Sequence, residues 1–339
     1  MPSASPFPSV NAARVPLARL PTPVEPSPRL GASAGLDLLY KRDDLTGLEL
    51  SGNKARKLEL LVAEAEAAGA DTLVTCGGIQ SNHCRATAYA AAKRGLSAVL
   101  LLRVPDPARP PAPEANALLA RLAGAELRFV SHEEYRRRTE LMAAVARELE
   151  AAGRRPYVIP EGGSNAVGSL AYALAMAELR DQLPPAWRSG DLTIAYAVGS
   201  GGTGAGIEIG LRLLGWAGAK AVGFAVCNDA RYFREAIGAI CADAHRRWPA
   251  IPEIRADEVR VDDGFVGPGY AETTAEGLEL IRRAAREDGV ILDPVYTGKA
   301  MLGVLRRAQE VGGLPSPRVV FIHTGGAFGL FPFAARLAT

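Results

Sequence analysis

The chain has 339 residues, 48% apolar and 22% charged, with 39 Lys and Arg against 37 Asp and Glu and a formal charge of +2. That length exceeds what a single hydrophobic core normally fills, so two domains are expected. Balanced charge and the lack of an apolar run of membrane-spanning length give no reason to expect nucleic-acid or membrane partners.

Residues 1–30 are rich in Pro, Ser and Ala and lack the apolar core of a signal peptide, so a cytoplasmic protein is expected. A strand is predicted at 36–41 and a helix at 53–68. The alternation then continues with strand 72–76, helix 82–94, strand 98–103, helix 114–122, strand 127–130 and helix 132–152. Strand 157–159, helix 167–183, strand 193–198, helix 204–214 and strand 221–226 follow. Helices at 230–247, 274–287 and 298–310, a strand at 319–323 and a short helix after Gly326 complete the chain. Regular β–α alternation predicts an α/β protein built on parallel sheets. Turn residues cluster at 46–53 and 161–165, which suggests a smaller inserted α/β domain over 48–162 within a larger one formed by 1–47 and 163–339. Residues 104–113 are proline-rich and read as a surface loop.

The most telling stretch is Ser51-Gly52-Asn53-Lys54-Ala55-Arg56-Lys57-Leu58-Glu59, which brings a lysine to a helix start. A lysine attacks carbonyl groups, including that of pyridoxal 5'-phosphate (PLP), once burial and nearby cations lower its pKa. Arg56 and Lys57 supply positive charge here, and the helix N-terminus suits a phosphate. Alone, the stretch reads as a solvated basic helix start, so its meaning depends on the other motifs. Gly77-Gly78-Ile79-Gln80-Ser81-Asn82-His83 joins a strand to a helix; Ser81 or Asn82 caps that helix, faces a ligand carboxylate, or does both.

Gly199-Ser200-Gly201-Gly202-Thr203-Gly204-Ala205-Gly206 follows an apolar strand and opens a helix, a pattern that admits a phosphate to backbone N–H groups. It also matches the dinucleotide fingerprint G-x-G-x-x-G, with Asp229 as a ribose ligand, and it could be a structural turn. Gly267-Pro268-Gly269-Tyr270 places an aromatic on a loop that could close a cleft. Asp293-Pro294-Val295-Tyr296-Thr297-Gly298-Lys299 reads as a strand-to-helix turn, and Phe321-Ile322-His323-Thr324-Gly325-Gly326 as a strand end. In open α/β sheets ligands bind outside the carboxyl ends of strands, so one cleft could gather all five motifs.

Among the histidines, His132 and His245 read as solvated, while His83 and His323 lie in motifs without an acidic partner in sequence. Cys76, Cys84, Cys227 and Cys241 lack metal-ligand spacing, so no metal site is expected.

In this order the motifs at 51–59, 79–83, 293–299 and 323–326, with Tyr40-Lys41-Arg42-Asp43-Asp44, resemble the family of 1-aminocyclopropane-1-carboxylate (ACC) deaminases and D-cysteine desulfhydrases. These are PLP enzymes of the tryptophan-synthase-β-like class, and the likeness runs from about residue 21 to 333. The resemblance implies a two-domain, parallel-sheet-based α/β fold in which Lys54 carries PLP as a Schiff base. It implies that Asn82 contacts the ring hydroxyl, and that Ser200, Gly201, Gly202 and Thr203 bind the phosphate with help from Lys57. Ser81, Tyr270 and Tyr296 match positions that face a small amino-acid substrate. Deaminases carry glutamate after the motif tyrosine and leucine after the late histidine; this chain has Thr297 and Thr324, as desulfhydrases do. One of these threonines is then the partner of the pyridine nitrogen. The resemblance further implies a homodimer and, best, β-elimination from D-cysteine. ACC deamination, or a sulfo-lyase or dehydratase of the same family, is the alternative. An NAD-dependent oxidoreductase and a non-catalytic PLP carrier are the readings from other classes. Ala55, Cys84 and the proline-rich segment after Arg103 depart from the desulfhydrase pattern and bear on substrate identity rather than on cofactor chemistry.

Overall fold

The computed structural model describes residues 6–10 and 12–338; residues 1–5 and 11 of the proline-rich opening segment, and 339, lie outside it. The elements begin with β1 (Val24–Pro26), α1 (Leu30–Ser33), β2 (Asp37–Lys41), α2 (Lys54–Ala67), β3 (Thr72–Gly78), α3 (Asn82–Arg94) and β4 (Ser97–Arg103). They continue with α4 (Ala115–Leu122), β5 (Glu126–Val130), α5 (Arg138–Ala151), β6 (Pro156–Val158), α6 (Ala166–Gln182), α7 (Pro185–Arg188) and β7 (Leu192–Val198). The last are α8 (Gly202–Leu213), β8 (Ala219–Ala225), α9 (Ala230–Arg247), β9 (Val261–Asp262), α10 (Ala275–Glu287), α11 (Thr297–Ala308), β10 (Arg318–Ile322) and α12 (Ala334–Leu337).

Two sheets result. One has six strands in the order β1-β2-β10-β7-β8-β9, and the other has four in the order β5-β4-β3-β6. All neighbours pair in parallel except β1 with β2. Val320 of β10 stands beside Leu39 and Ile194, and Val74 of β3 beside Val99 and Val158. Every residue of β7 is buried, as the continuous apolar run of a strand covered on both faces requires. Helix α6 packs against both α2 and α8, and their apolar faces form the largest core. A second core lies between β2, β10 and the helices α10 and α11, and a third under α5.

Three local expectations are corrected. The helix expected at 132–152 is a 3-10 turn over Glu134–Arg137 followed by α5. Ser131 N donates to Glu134 Oε2 (2.7 Å) and Glu134 N to Ser131 Oγ (3.2 Å), which closes a separate turn and leaves Tyr135 buried. The short strands β1 and β9 were not expected; Pro26 is tolerated because β1 is an edge strand. The turn at 293–297 follows irregular backbone rather than a strand, and its shape comes from Asp293, as described below. Because each sheet is parallel, the loops after β3, β6, β7 and β10 leave from C-terminal strand ends, and these loops line one cavity.

Candidate active site

Lys54 opens α2. The loop before it is tied to the end of β10: Asn53 N donates to Thr324 O (3.1 Å). Gly52 sits at φ +107°, and a Cβ there would lie 2.7 Å from Thr324 O, so only glycine fits. Lys54 Nζ donates to Asn53 Oδ1 (2.9 Å), and Asn53 Nδ2 donates to Thr203 Oγ1 (3.0 Å). Burial lowers the Lys54 pKa to about 8; the Asp293 carboxylate opposes this and the Arg85 guanidinium assists it. The cation acting on Lys54 is therefore Arg85 of α3, not Arg56. Arg56 is spent in a buried ion cluster, where Nη2 meets Asp43 Oδ1 and Glu178 Oε1, both at 2.8 Å. Lys41 Nζ joins the same Glu178 oxygen at 2.5 Å.

Lys57, one turn along, is buried beneath the glycine loop. Its Nζ donates to Gly162 O (3.1 Å) and reaches Ser164 Oγ at 3.5 Å. Its pKa falls well below the ordinary value through burial, with Lys54 adding repulsion. Ser164 Oγ also accepts from Gly202 N (3.2 Å) and contacts Ser200 Oγ (2.9 Å). A Cβ on Gly202 would lie 2.7 Å from Ser164 Oγ and 2.8 Å from Lys57 Nζ. The helix α8 thus presents its N-terminus, with Gly201 and Thr203, to the cavity across a bare backbone.

Ser81 stands at the start of α3. It caps α3 by accepting from Cys84 N (3.2 Å), and it lines the cavity with Asn82. Asn82 Oδ1 is oriented by Asn116 Nδ2 (3.1 Å). His83 also reaches the cavity. Thr75 Oγ1 donates to Ile159 O (2.8 Å), so His83 Nε2 is the donor in its 2.9 Å contact with Thr75. Nδ1 is then a buried acceptor without a hydrogen-bond partner among the described residues. Burial, then the charges of Lys54 and Lys57, hold His83 well below its usual pKa, so the ring is neutral.

Tyr270 and Tyr296 face the cavity from the other side, with their hydroxyls 2.8 Å apart and ring planes at 76°. Burial pushes Tyr270 up to about 12 and Tyr296 well above its ordinary range, so both stay protonated. The two threonines divide. Thr324 lines the cavity, whereas Thr297 is fully buried and donates from Oγ1 to Asp293 Oδ1 (2.8 Å), away from it. Asp293 also accepts from the backbone N–H groups of Val295 (2.9 Å), Tyr296 (3.0 Å) and Thr297 (2.7 Å), so this carboxylate builds the turn that presents Tyr296.

The structure thus brings Lys54, Ser81, Asn82, Ser200, Gly201, Thr203, Tyr270, Tyr296 and Thr324 to one cavity, sets Lys57 and Gly202 directly behind it, and leaves Thr297 out. Sequence reading missed Asn53, Glu161 and Ser164. Glu161 lines the cavity, held by Tyr135 Oη (2.6 Å) and Arg138 Nε (2.9 Å). The turn cluster at 161–165, between a strand and a helix like the other motifs, was the available signal. Asp229, the ribose ligand of the dinucleotide alternative, instead caps α9 by accepting from Tyr232 N (2.7 Å). Among the described residues no group of His, Cys, Asp and Glu could hold a metal, and no helix is long and apolar enough to cross a membrane.

A family model described as pyridoxal-phosphate dependent enzyme matches residues 15–325. The chain is 41% identical over 331 residues to the bifunctional D-cysteine desulfhydrase/1-aminocyclopropane-1-carboxylate deaminase, mitochondrial, of Arabidopsis thaliana, covering 95% of this chain and 80% of the relative. It is 37% identical to a D-cysteine desulfhydrase of Klebsiella pneumoniae, over 96% of this chain and 97% of that one. A crystal structure of an ACC deaminase homologue matches with a TM-score of 0.89 at 34% identity, covering 100% of this chain and 99% of that one. The cavity fits a PLP group. A lysine with a depressed pKa, a helix N-terminus bare of side chains for a phosphate, the amide of Asn82 and the hydroxyl of Thr324 surround one space, and His83 leaves an acceptor open beside it.

Proposed function

We propose that this chain, which belongs to the family of pyridoxal-phosphate dependent enzymes, is a lyase that eliminates the β-substituent of D-cysteine, giving pyruvate, ammonia and hydrogen sulfide with uptake of one water. Lys54 would hold the cofactor, Ser200, Gly201, Gly202 and Thr203 its phosphate with Lys57 behind them, Asn82 its ring hydroxyl, and Thr324 its pyridine nitrogen. Bound PLP supplies an electron sink for the substrate α-carbon. The residues of the chain do the rest. Ser81 and the N-terminus of α3 receive the substrate carboxylate, where backbone N–H groups and the helix dipole favour an anion. Lys54 Nζ, with its pKa near 8, accepts the α-proton, and Tyr296, which stays protonated, faces the substrate as a proton donor. Tyr270 holds the Tyr296 hydroxyl in place through their 2.8 Å contact. The C–S bond then breaks with its electron pair on sulfur, and thiolate leaves with a proton.

The observation that carries this reading is Thr324 on the cavity wall with Thr297 turned away. A hydroxyl cannot keep a pyridine nitrogen protonated as a carboxylate does. The two buried or part-buried carboxylates nearby are engaged, Asp293 by four donors and Glu161 by Tyr135 and Arg138. A weaker sink suffices when a good leaving group removes the electrons, as thiolate does and a cyclopropane ring carbon does not. The Klebsiella pneumoniae relative supports the same choice. The bifunctional Arabidopsis thaliana relative favours ACC deamination as the second reading. Purified enzyme given D-cysteine, L-cysteine, β-chloroalanine and ACC separates them. Sulfide and pyruvate from D-cysteine are expected, and ring opening of ACC without sulfide release from either cysteine would reverse the assignment. The proposal includes a cytoplasmic homodimer. Light scattering should return roughly twice the 35.7 kDa chain mass, and cell fractionation should place the activity in the cytosol.

A further inference from the structure

Tyr270 lies on a loop between β9 and α10 that has no regular secondary structure, and its backbone turns through positive φ at Gly267 (+68°), Gly269 (+154°) and Ala271 (+62°). Such a segment needs an external tether to hold a side chain at a fixed place. Arg103 lies over the Tyr270 ring at 5.2 Å, and the backbone of the loop is tethered by Lys299, which the functional reading leaves without a role. Its side chain is buried, and its Nζ donates to three backbone carbonyls: Val226 (3.0 Å), Val266 (2.6 Å) and Gly269 (2.7 Å). Three acceptors require three N–H donors, so the group there is the ammonium and not the neutral amine. Its hydrogen-bonding partners are these three carbonyl dipoles, and Asp293 and Glu272 favour the charge from a distance.

The three carbonyls belong to two bodies. Val226 follows β8, and Val266 and Gly269 belong to the loop. The carbonyl of Gly269 shares a rigid peptide plane with the nitrogen of Tyr270, so fixing one fixes the position from which the tyrosine departs. Lys299 is also three residues beyond Tyr296, one helical turn along the start of α11. One turn of helix therefore presents Tyr296 directly and grips the loop that presents Tyr270, and the two hydroxyls meet at 2.8 Å. Behind the loop lies a cavity of about 220 Å³, lined by Phe265, Gly267, Thr273, Leu302 and Lys299 itself, so packing does not hold the loop from that side.

We propose that Lys299 is a positioning residue for the reaction: a buried cation that holds the loop of Tyr270 against the cavity and sets the Tyr270–Tyr296 pair. It acts through Tyr270 and touches neither substrate nor cofactor. This rests on the reading that the two tyrosines face the substrate.

The test is a double-mutant cycle in the PLP-loaded enzyme, with whichever of D-cysteine or ACC it turns over: Lys299→Met, Tyr270→Phe and both together. K299M is expected to keep the visible absorbance of bound cofactor and a cooperative thermal transition, while kcat/KM falls about tenfold to a hundredfold, the cost of misplacing a group in an active site by about 1 Å. Y270F is expected to be impaired, and the double variant to be no worse than the poorer single one. Costs that multiply in the double variant would overturn the proposal, as would a K299M enzyme of unchanged activity. So would loss of bound cofactor or of the thermal transition in K299M, which would make Lys299 a general structural residue. Y270F with undiminished turnover would instead remove the site reading itself, and this proposal with it.

Discussion

Replacing Lys54 by Met should abolish turnover and at the same time stabilise the cofactor-free protein. In the fold, burial lowers the ammonium's pKa from 10.5 to about 8, with Arg85 adding to the effect and Asp293 opposing it. At about 1.4 kcal/mol for each pH unit, the folded state disfavours the charged form by about 3 kcal/mol, and by less where solvent enters the cavity, so about 1–3 kcal/mol is expected. The sign follows from proton linkage. Between about pH 8 and 10.5 the unfolded chain binds the proton and the folded chain does not, so stability rises with pH across that window. Below about pH 8 both states are charged and the whole cost is present. Lys54→Met removes it, so the gain should be full at pH 7 and less than half of that by about pH 9.5. Urea unfolding of cofactor-free wild-type and variant protein at the two pH values measures this. A variant equally or less stable at pH 7, or a gain that does not change with pH, would refute the assignment of Lys54 as a desolvated amine.

Three further outcomes are expected. Lys57→Met or Ser164→Ala removes support behind the glycine loop and should weaken PLP binding about tenfold to a hundredfold, with kcat retained at saturating cofactor; fluorescence titration reads this. Arg56→Met leaves the buried Asp43 without its cation, while Glu178 keeps Lys41, and should cost about 3–5 kcal/mol of unfolding free energy at neutral pH. Burial raises the Glu178 pKa, but Arg56 and Lys41 outweigh it and bring it down to about 2, so the stability this group contributes should disappear as pH falls from 4.5 towards 2 in wild type and be smaller in that variant, where Lys41 alone remains. Gly52→Ala forces a Cβ to within 2.7 Å of Thr324 O at a positive φ and should cost about 1–3 kcal/mol, with a loss of turnover greater than that of Glu66→Ala at the far end of α2.

Much of the fold was readable because parallel α/β layers leave a strong local signal. The apolar run of β7 and the amphipathic helices around it report burial on two faces versus one, and each is a property of consecutive residues. The edge strands β1 and β9 were not readable, since two or three residues at a sheet edge carry no such pattern. Ser81 as a cap was legible for the same reason as the helices: its partner, Cys84 N, is three residues away.

What the sequence by itself determined is therefore which chemical groups stand at strand ends and helix starts, and that these motifs, in this order, are those of a PLP enzyme. Which groups act on one another was decided only by the tertiary structure. Asn53 meets Thr203 across 150 positions, Ser164 meets Ser200 across 36, and Tyr270 meets Tyr296 across 26. The charges that tune Lys54 are Arg85 and Asp293, not its neighbour Arg56, whose charge Asp43 and Glu178 absorb. Thr297 and Thr324 were equivalent on paper, and a hydrogen bond to Asp293 separates them. Hydrogen bonds and Coulomb energies depend on distance in space and on the solvent excluded between the groups, and neither quantity is a function of separation along the chain.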